Sequence, residues 1–178
     1  MILLGNDAVL DSYRSHFSRR IFTIAASFFK VAEAEDILHK KIFSEARKHF
    51  CWFGGHGLVH KGLDLVLEAF RDLPDYQLHV CGPIEREPRF AECFKEELYQ
   101  TNNIGTHGFV PLDSPLFLEI MSRCAFVIFP SCSEGAPSSV LNVMGNGGLI
   151  PVVTRDTGID TRDFGIRIPG ITSHDVRE

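Results

Sequence analysis

The feature that most constrains the fold is a regular alternation of short apolar runs with longer amphipathic stretches between residues 49 and 154. HFCWFGG (49–55), YQLHVCG (76–82), NIGTHGFV (103–110), AFVIFP (125–130) and LIPVVT (149–154) read as strands, and FGIRIP (164–169) as a last one. Between them, GLDLVLEAFRDL (62–73) places Leu63, Val66, Leu67 and Phe70 on one helical face. RFAECFKEELYQ (89–100) repeats Phe90, Phe94 and Leu98 at a spacing of four. SPLFLEIMSRC (114–124) opens a helix at Ser114 with Pro115 in the first helical position. SSVLNVMGNG (138–147) opens on serines able to cap and closes on Gly147. AFVIFP carries no polar alternation, which marks a strand buried on both faces. Strand and helix in this order predict an α/β domain: a Rossmann-like, doubly wound parallel sheet with helices on both faces. Such sheets bind ligands outside the carboxyl ends of their strands, at the topological switch point.

Residues 1–48 follow no such rhythm and read as a lead-in to a domain spanning 49–178. ILLGN (2–6) suggests a strand running into a turn at Gly5-Asn6, and residues 7–15 a helix opened by Asn6 or Asp7. RRIFTIAASF (19–28) suggests a second strand. FKVAEAEDILHKKIFSEARKHF (29–50) has weak helical spacing through Ile37, Lys41, Phe43 and Ala46. A net charge of −5 without a Lys/Arg-rich block argues against nucleic-acid binding by bulk charge. Five cysteines without C-x-x-C spacing argue against a disulfide framework or a zinc site. Cys51, Cys81 and Cys124 fall in apolar runs and are expected in the core. No secretory signal is apparent, and no apolar run approaches the ~20 residues of a membrane span. A cytoplasmic location, at most peripheral to a membrane, is therefore expected.

Several strand ends carry unusual residues. FGGHGLVHKG (53–62) joins a strand to a helix. Its glycines, Gly55 among them, let backbone approach a ligand, and the helix start offers N–H groups. Lys61, flanked by His56 and His60, adds a full charge suited to a diphosphate. PSCSEGAPSSV (130–140) follows the most apolar strand with one carboxylate, Glu134, ahead of a helix beginning at Ser138-Ser139. A carboxylate there can accept hydrogen bonds from sugar hydroxyls, while serines and backbone N–H groups suit phosphate oxygens. Equally, the first loop can be a plain glycine turn and Glu134 a mere helix cap. Gly82 and the His107-Gly108-Phe109 segment end two further strands, where a base or ribose could lie against backbone. Glu85 and Glu87, and likewise Asp156, Asp160 and Asp163, read as solvated loop carboxylates. No nucleophile elbow or metalloprotease helix occurs, and His56 and His60 alone make a poor metal site. No G-x-G-x-x-G follows the first strand, which argues against a dehydrogenase or an epimerase of Rossmann type.

Taken together, FGGHGLVHKGLDLVLEAF (53–70), LHVCGP (78–83), NIGTHGFV (103–110), FVIFPSCSEG (126–135) and VMGNGGLIPVV (143–153) resemble one half of a GT-B fold glycosyltransferase. The resemblance is to the C-terminal, nucleotide-sugar-binding domain of the family 4 type (glycosyl transferases group 1), over roughly residues 50–168. It implies transfer of a sugar from a nucleoside-diphosphate sugar to an acceptor hydroxyl, with retention at the anomeric carbon and no obligatory metal or other cofactor. Lys61 matches the family's diphosphate clamp and Glu134 the glutamate expected on the donor sugar. Gly135 to Ser139, with Ser138 at the helix start, match the diphosphate-binding segment, and Gly82, Gly108 and Phe109 the positions lining the base. Two positions depart: His56 stands where the family carries an arginine, and Asn142 where it carries a second glutamate for the ribose. An imidazole supplies less charge at neutral pH than a guanidinium, and asparagine is not a charged acceptor. These departures leave room for a module that binds a sugar nucleotide without chemistry. The resemblance further implies that residues 1–48 cross over from a missing N-terminal domain holding the acceptor, itself a glycan, lipid or protein. It implies a truncated C-terminal helix at Asp175–Glu178, and little activity for the chain alone.

Overall fold

In a computed structural model of the chain, residues 2–4, 7–24 and 26–178 are described. The turn expected at Gly5-Asn6 lies outside them. The lead-in forms β1 (Ile2–Leu4), α1 (Asp7–Arg14) and β2 (Phe22–Ile24), the two strands pairing in parallel as a small sheet of their own. The long helix expected over 29–50 is instead two short ones, α2 (Ala34–Lys40) and α3 (Phe43–Ala46). The break is at Lys41 and Ile42, which take extended backbone. Lys41 is drawn out of helical register because its buried Nζ donates to the carbonyls of Cys124 and Gly147, both at 2.7 Å.

The main domain begins at β3 (His49–Phe53) and runs through α4 (Leu63–Arg71), β4 (Gln77–Cys81), α5 (Pro88–Cys93), α6 (Lys95–Gln100), β5 (Ile104–Gly108), α7 (Pro115–Arg123), β6 (Phe126–Phe129), α8 (Ser138–Gly147), β7 (Ile150–Val153), β8 (Ile166–Arg167) and α9 (Ser173–Arg177). The six strands form one all-parallel sheet in the order β5-β4-β3-β6-β7-β8. The predicted Rossmann-like α/β architecture is therefore the observed one. Helix 89–100 splits at Phe94, whose ring stacks on Phe90 at 4.7 Å.

Both faces of the sheet are covered. On one, Phe50 meets Phe70 of α4 edge-on at 5.3 Å; on the other, Phe53 meets Phe117 of α7 at 5.7 Å. The two residues differ by an odd number of positions, so their side chains point to opposite faces. Leu63, Val66, Leu67 and Phe70 are buried as their helical spacing predicts, and so are Cys51, Cys81 and Cys124. A side-chain hydrogen bond with Cys81, and then burial, pushes the Cys51 thiol well above the ordinary range, and burial does the same to Cys124. The Ser114 cap also forms, its hydroxyl accepting from the Phe117 N–H at 3.2 Å.

Three histidines run across neighbouring strands on the α7 face. His49 Nδ1 lies 3.1 Å from His79 Nε2, and His79 Nδ1 lies 3.1 Å from His107 Nε2, with the rings stacked. Burial lowers the pKa of all three, that of His79 to about 4.

Candidate active site

The chain enters the sheet at β3 and builds outward through β4 to β5. It then returns to pair β6 on the other side of β3. The switch point lies between β3 and β6, and the loops leaving their carboxyl ends are the ones carrying Lys61 and Glu134.

Packing fixes both loops. The buried Trp52 indole donates to the Lys61 carbonyl at 3.2 Å. Gly62 sits at φ +70, and a Cβ there would lie 2.3 Å from the Pro130 carbonyl oxygen. Only glycine lets the two loops close on each other at that point. The His60 carbonyl then accepts from the Ser131 hydroxyl at 3.0 Å and from the Cys132 N–H at 3.1 Å. Behind the second loop, the Thr154 hydroxyl donates to the Ser131 carbonyl and the Thr157 hydroxyl to the Phe129 carbonyl, at 2.5 and 3.0 Å. The Glu134 N–H donates to the Asp156 carbonyl at 2.8 Å.

This scaffold brings Lys61 and Glu134 into contact, Nζ donating to Oε1. Both side chains are about four-fifths buried, so the pair is more strongly coupled than a surface ion pair. His60 Nε2 stands 3.9 Å from the same oxygen, and His60 Nδ1 lies 3.5 Å from Cys132 Sγ. Glu134, Gly135, Cys132 and Asp156 line one wall of a cleft of about 420 Å³; Ser12 and Tyr13 of α1, with His16 just after it, line the other.

Ser138 and Ser139 occupy the first turn of α8, as expected, but do not cap it. The cap position is Pro137, which offers no side-chain acceptor to the first N–H groups. At the other end the left-handed residue is Gly148, at φ +60, not Gly147. Gly147 is buried against Met121 and Leu149.

The other candidates divide. Gly55 and Gly108 face open space, Gly108 at φ +69, and Phe109 next to it is exposed. These positions remain open to a ligand at the strand ends. Gly82 answers a packing need: a Cβ there would meet the Trp52 ring at 2.8 Å and the Gly54 carbonyl oxygen at 2.9 Å. Asn142 points its carbonyl oxygen at the lead-in, accepting from the Phe29 N–H at 2.7 Å. One turn on, the fully buried Asn146 accepts from Val31 and Ala32 N–H groups and donates to the Phe29 carbonyl.

Glu87 is a correction. It is no solvated loop residue: its carboxylate accepts from the Gly57 N–H at 2.6 Å and the Leu58 N–H at 3.2 Å. Two amides of the loop, those of Gly57 and Leu58, are thus held by the protein's own carboxylate. The preceding residue, Arg86, donates from its guanidinium to His56 Nε2 at 3.2 Å. Among the described residues no group of three or more His, Cys, Asp or Glu could hold a metal ion, and no helix is long and apolar enough to cross a membrane.

The sequence could not announce α1 as a wall of the cleft, nor the Thr154–Thr157 brace, because both depend on contacts distant along the chain. The P-V-V-T end of β7 was the only local signal of the brace.

Solved structures share this fold. The C-terminal domain of a group 1 family glycosyl transferase, LpcC from Francisella tularensis, superposes with a TM-score of 0.57 at 17% identity, over 83% of this chain and 81% of that one. HepE from Anabaena, in complex with UDP and glucose, gives 0.70 at 14% identity, over 99% of this chain and 51% of its own. The catalytic domain of starch synthase IV from Arabidopsis thaliana, bound to ADP and acarbose, gives 0.63 at 15% identity, over 94% of this chain and 44% of that one. The chain thus spans about half the length of the last two. No curated protein matches the sequence significantly. The sequence profile of the family described as glycosyl transferases group 1 matches residues 35–161, well over half of the chain, and contains both loops of the switch point. The chain belongs to the glycosyl transferases group 1 family.

Proposed function

We propose that the chain binds a nucleoside-diphosphate sugar at the carboxyl edge of its sheet and is the donor-binding half of a retaining glycosyltransferase. The observation that carries this reading is the Lys61–Glu134 contact at the switch point, ahead of the uncapped first turn of α8. In this reading Glu134 accepts hydrogen bonds from sugar hydroxyls. Lys61 and the amino end of α8, around Gly135 to Ser139, take the diphosphate. As the glycosidic bond breaks, negative charge builds on the departing diphosphate, and these preorganised donors are aimed at it. The exposed Phe109 and the open backbone at Gly108 suit a base or ribose. Residues 1–48 act as the crossover from a domain that supplies acceptor contacts. UDP with glucose in HepE, and ADP in starch synthase IV, support a nucleotide-sugar donor without fixing its base.

Thermal-shift measurement against UDP-, GDP-, ADP- and TDP-sugars tests the assignment, since a ligand bound to the native state raises Tm by mass action. A rise with one series supports it. No rise with any, combined with tight NAD binding, overturns it.

One observation favours a second reading, a module that binds a sugar nucleotide without turning it over. The Asn142 carbonyl oxygen already accepts from the Phe29 N–H, so one of its two acceptor positions is committed to the lead-in and not to a ribose. Release or transfer of the sugar from a bound donor, followed by chromatography, separates the two readings.

A further inference from the structure

We infer that Arg86 supplies the second positive charge of the diphosphate site, reaching it through His56 from the loop after β4. The inference rests on the sugar-nucleotide reading above and deepens it.

A diphosphate brings more than one negative charge, and Lys61 already faces the Glu134 carboxylate. A second cation at this edge would add to the hold of Lys61 and the α8 start on the ligand. His56 lies on the same loop as Lys61, five residues earlier, and Lys61 N–H closes the turn onto the Gly57 carbonyl at 2.9 Å. In this contact the guanidinium is the donor and His56 Nε2 the acceptor. The charge at that corner belongs to the guanidinium. Among the described residues Arg86 forms no ion pair with a carboxylate, in contrast to Lys61.

The position of Arg86 is built. Its N–H donates to the Pro83 carbonyl at 3.0 Å, inside a short 3-10 turn over Ile84–Arg86, and the turn starts from the buried Ile84. Immediately after it, Glu87 grips the Gly57 and Leu58 amides. The clamp of Glu87 locks the β4 loop to the β3 loop. Arg86 is thereby delivered to His56 without depending on its own side chain for anchorage. A guanidinium offers several N–H donors in a fixed fork, so it can hold the imidazole and still address phosphate oxygens.

The test is calorimetric titration of the 178-residue chain with UDP, ADP, GDP and the corresponding nucleoside monophosphates. Arg86→Ala is expected to weaken nucleoside-diphosphate binding roughly tenfold to a hundredfold, the range of a charge-assisted hydrogen bond. Monophosphate binding should change far less, which a merely structural role for Arg86 would not produce. Adding His56→Arg to Arg86→Ala should restore most of the loss by returning a guanidinium to the same corner. Diphosphate binding by Arg86→Ala equal to wild type, with Lys61→Ala still weakened, overturns the role of Arg86 and leaves the sugar-nucleotide reading standing. A wild-type chain that binds no nucleoside diphosphate overturns both.

Discussion

Lys61 Nζ donates to Glu134 Oε1 across 73 residues of sequence, and that bond joins the two strands between which the sheet reverses its direction of growth. Each partner is in part a counter-ion for the other, so a ligand that engages both must trade this contact for its own. Lys61→Ala is expected to weaken nucleoside-diphosphate binding by tenfold or more, as removal of a charge-assisted contact does. Glu134→Gln should spare the diphosphate and weaken only the sugar nucleotide. Calorimetry with both ligands on both variants reads this directly; equal losses for the two ligands in Glu134→Gln would remove the sugar contact.

Stability is expected to fall on mild acidification through the histidine row. His79 has its pKa lowered to about 4 by burial, then by His107, His49 and Arg123, while Glu45 faces His49 and Glu119 faces His107. The folded state therefore binds fewer protons than the unfolded chain. Stability from the neutral row is complete above the ordinary imidazole value near 6.5 and is lost as pH drops toward 4. For His79 alone the loss is on the order of 3 kcal/mol. Urea unfolding across this range should show the decline, and His79→Leu should flatten it.

Asn146 organises the lead-in. With its side chain making four hydrogen bonds, Asn146→Ala would leave backbone groups of Phe29, Val31 and Ala32 without partners. A cost of roughly 2–4 kcal/mol is expected. Limited proteolysis should cut near residues 26–33 faster in the variant, and an unchanged cutting rate would contradict the anchoring role.

Gly62→Ala probes the closure of the two loops. The substitution places a methyl group against the Pro130 carbonyl at a φ that L residues avoid. A loss of about 1–3 kcal/mol from backbone strain is expected, with a larger loss of nucleotide affinity because Lys61 is the neighbouring residue. Parallel chemical denaturation and ligand titration separate the two effects.

Much of this was legible in the sequence. Leu63, Val66, Leu67 and Phe70, four of the buried positions of α4, lie at helical spacing, and the AFVIFP run needs burial on both faces, so sheet and layers follow from pattern alone. Lys61 and Glu134 were marked by loop chemistry and by family resemblance, but their contact depends on Gly62 meeting Pro130. Nothing local encodes that meeting. The same applies to Glu87, which reads as one more charged loop residue until the sheet places it beside Gly57. In the lead-in, Lys41 fits a helical spacing and yet leaves the helix, because two carbonyls 83 and 106 residues further along the chain claim its ammonium. Local propensity lost to a tertiary partner there.

The grip of α8 on the lead-in has a mechanical meaning. Asn142 lies one turn beyond Ser138, and its oxygen is tied to the Phe29 amide, with the Phe28 ring seated against Gly145 along the same helix. The incoming strap is therefore held along the helix that directly follows the Glu134 loop. A displacement of residues 28–32 would have to break or carry with it the contacts along α8 at Asn142, Gly145 and Asn146.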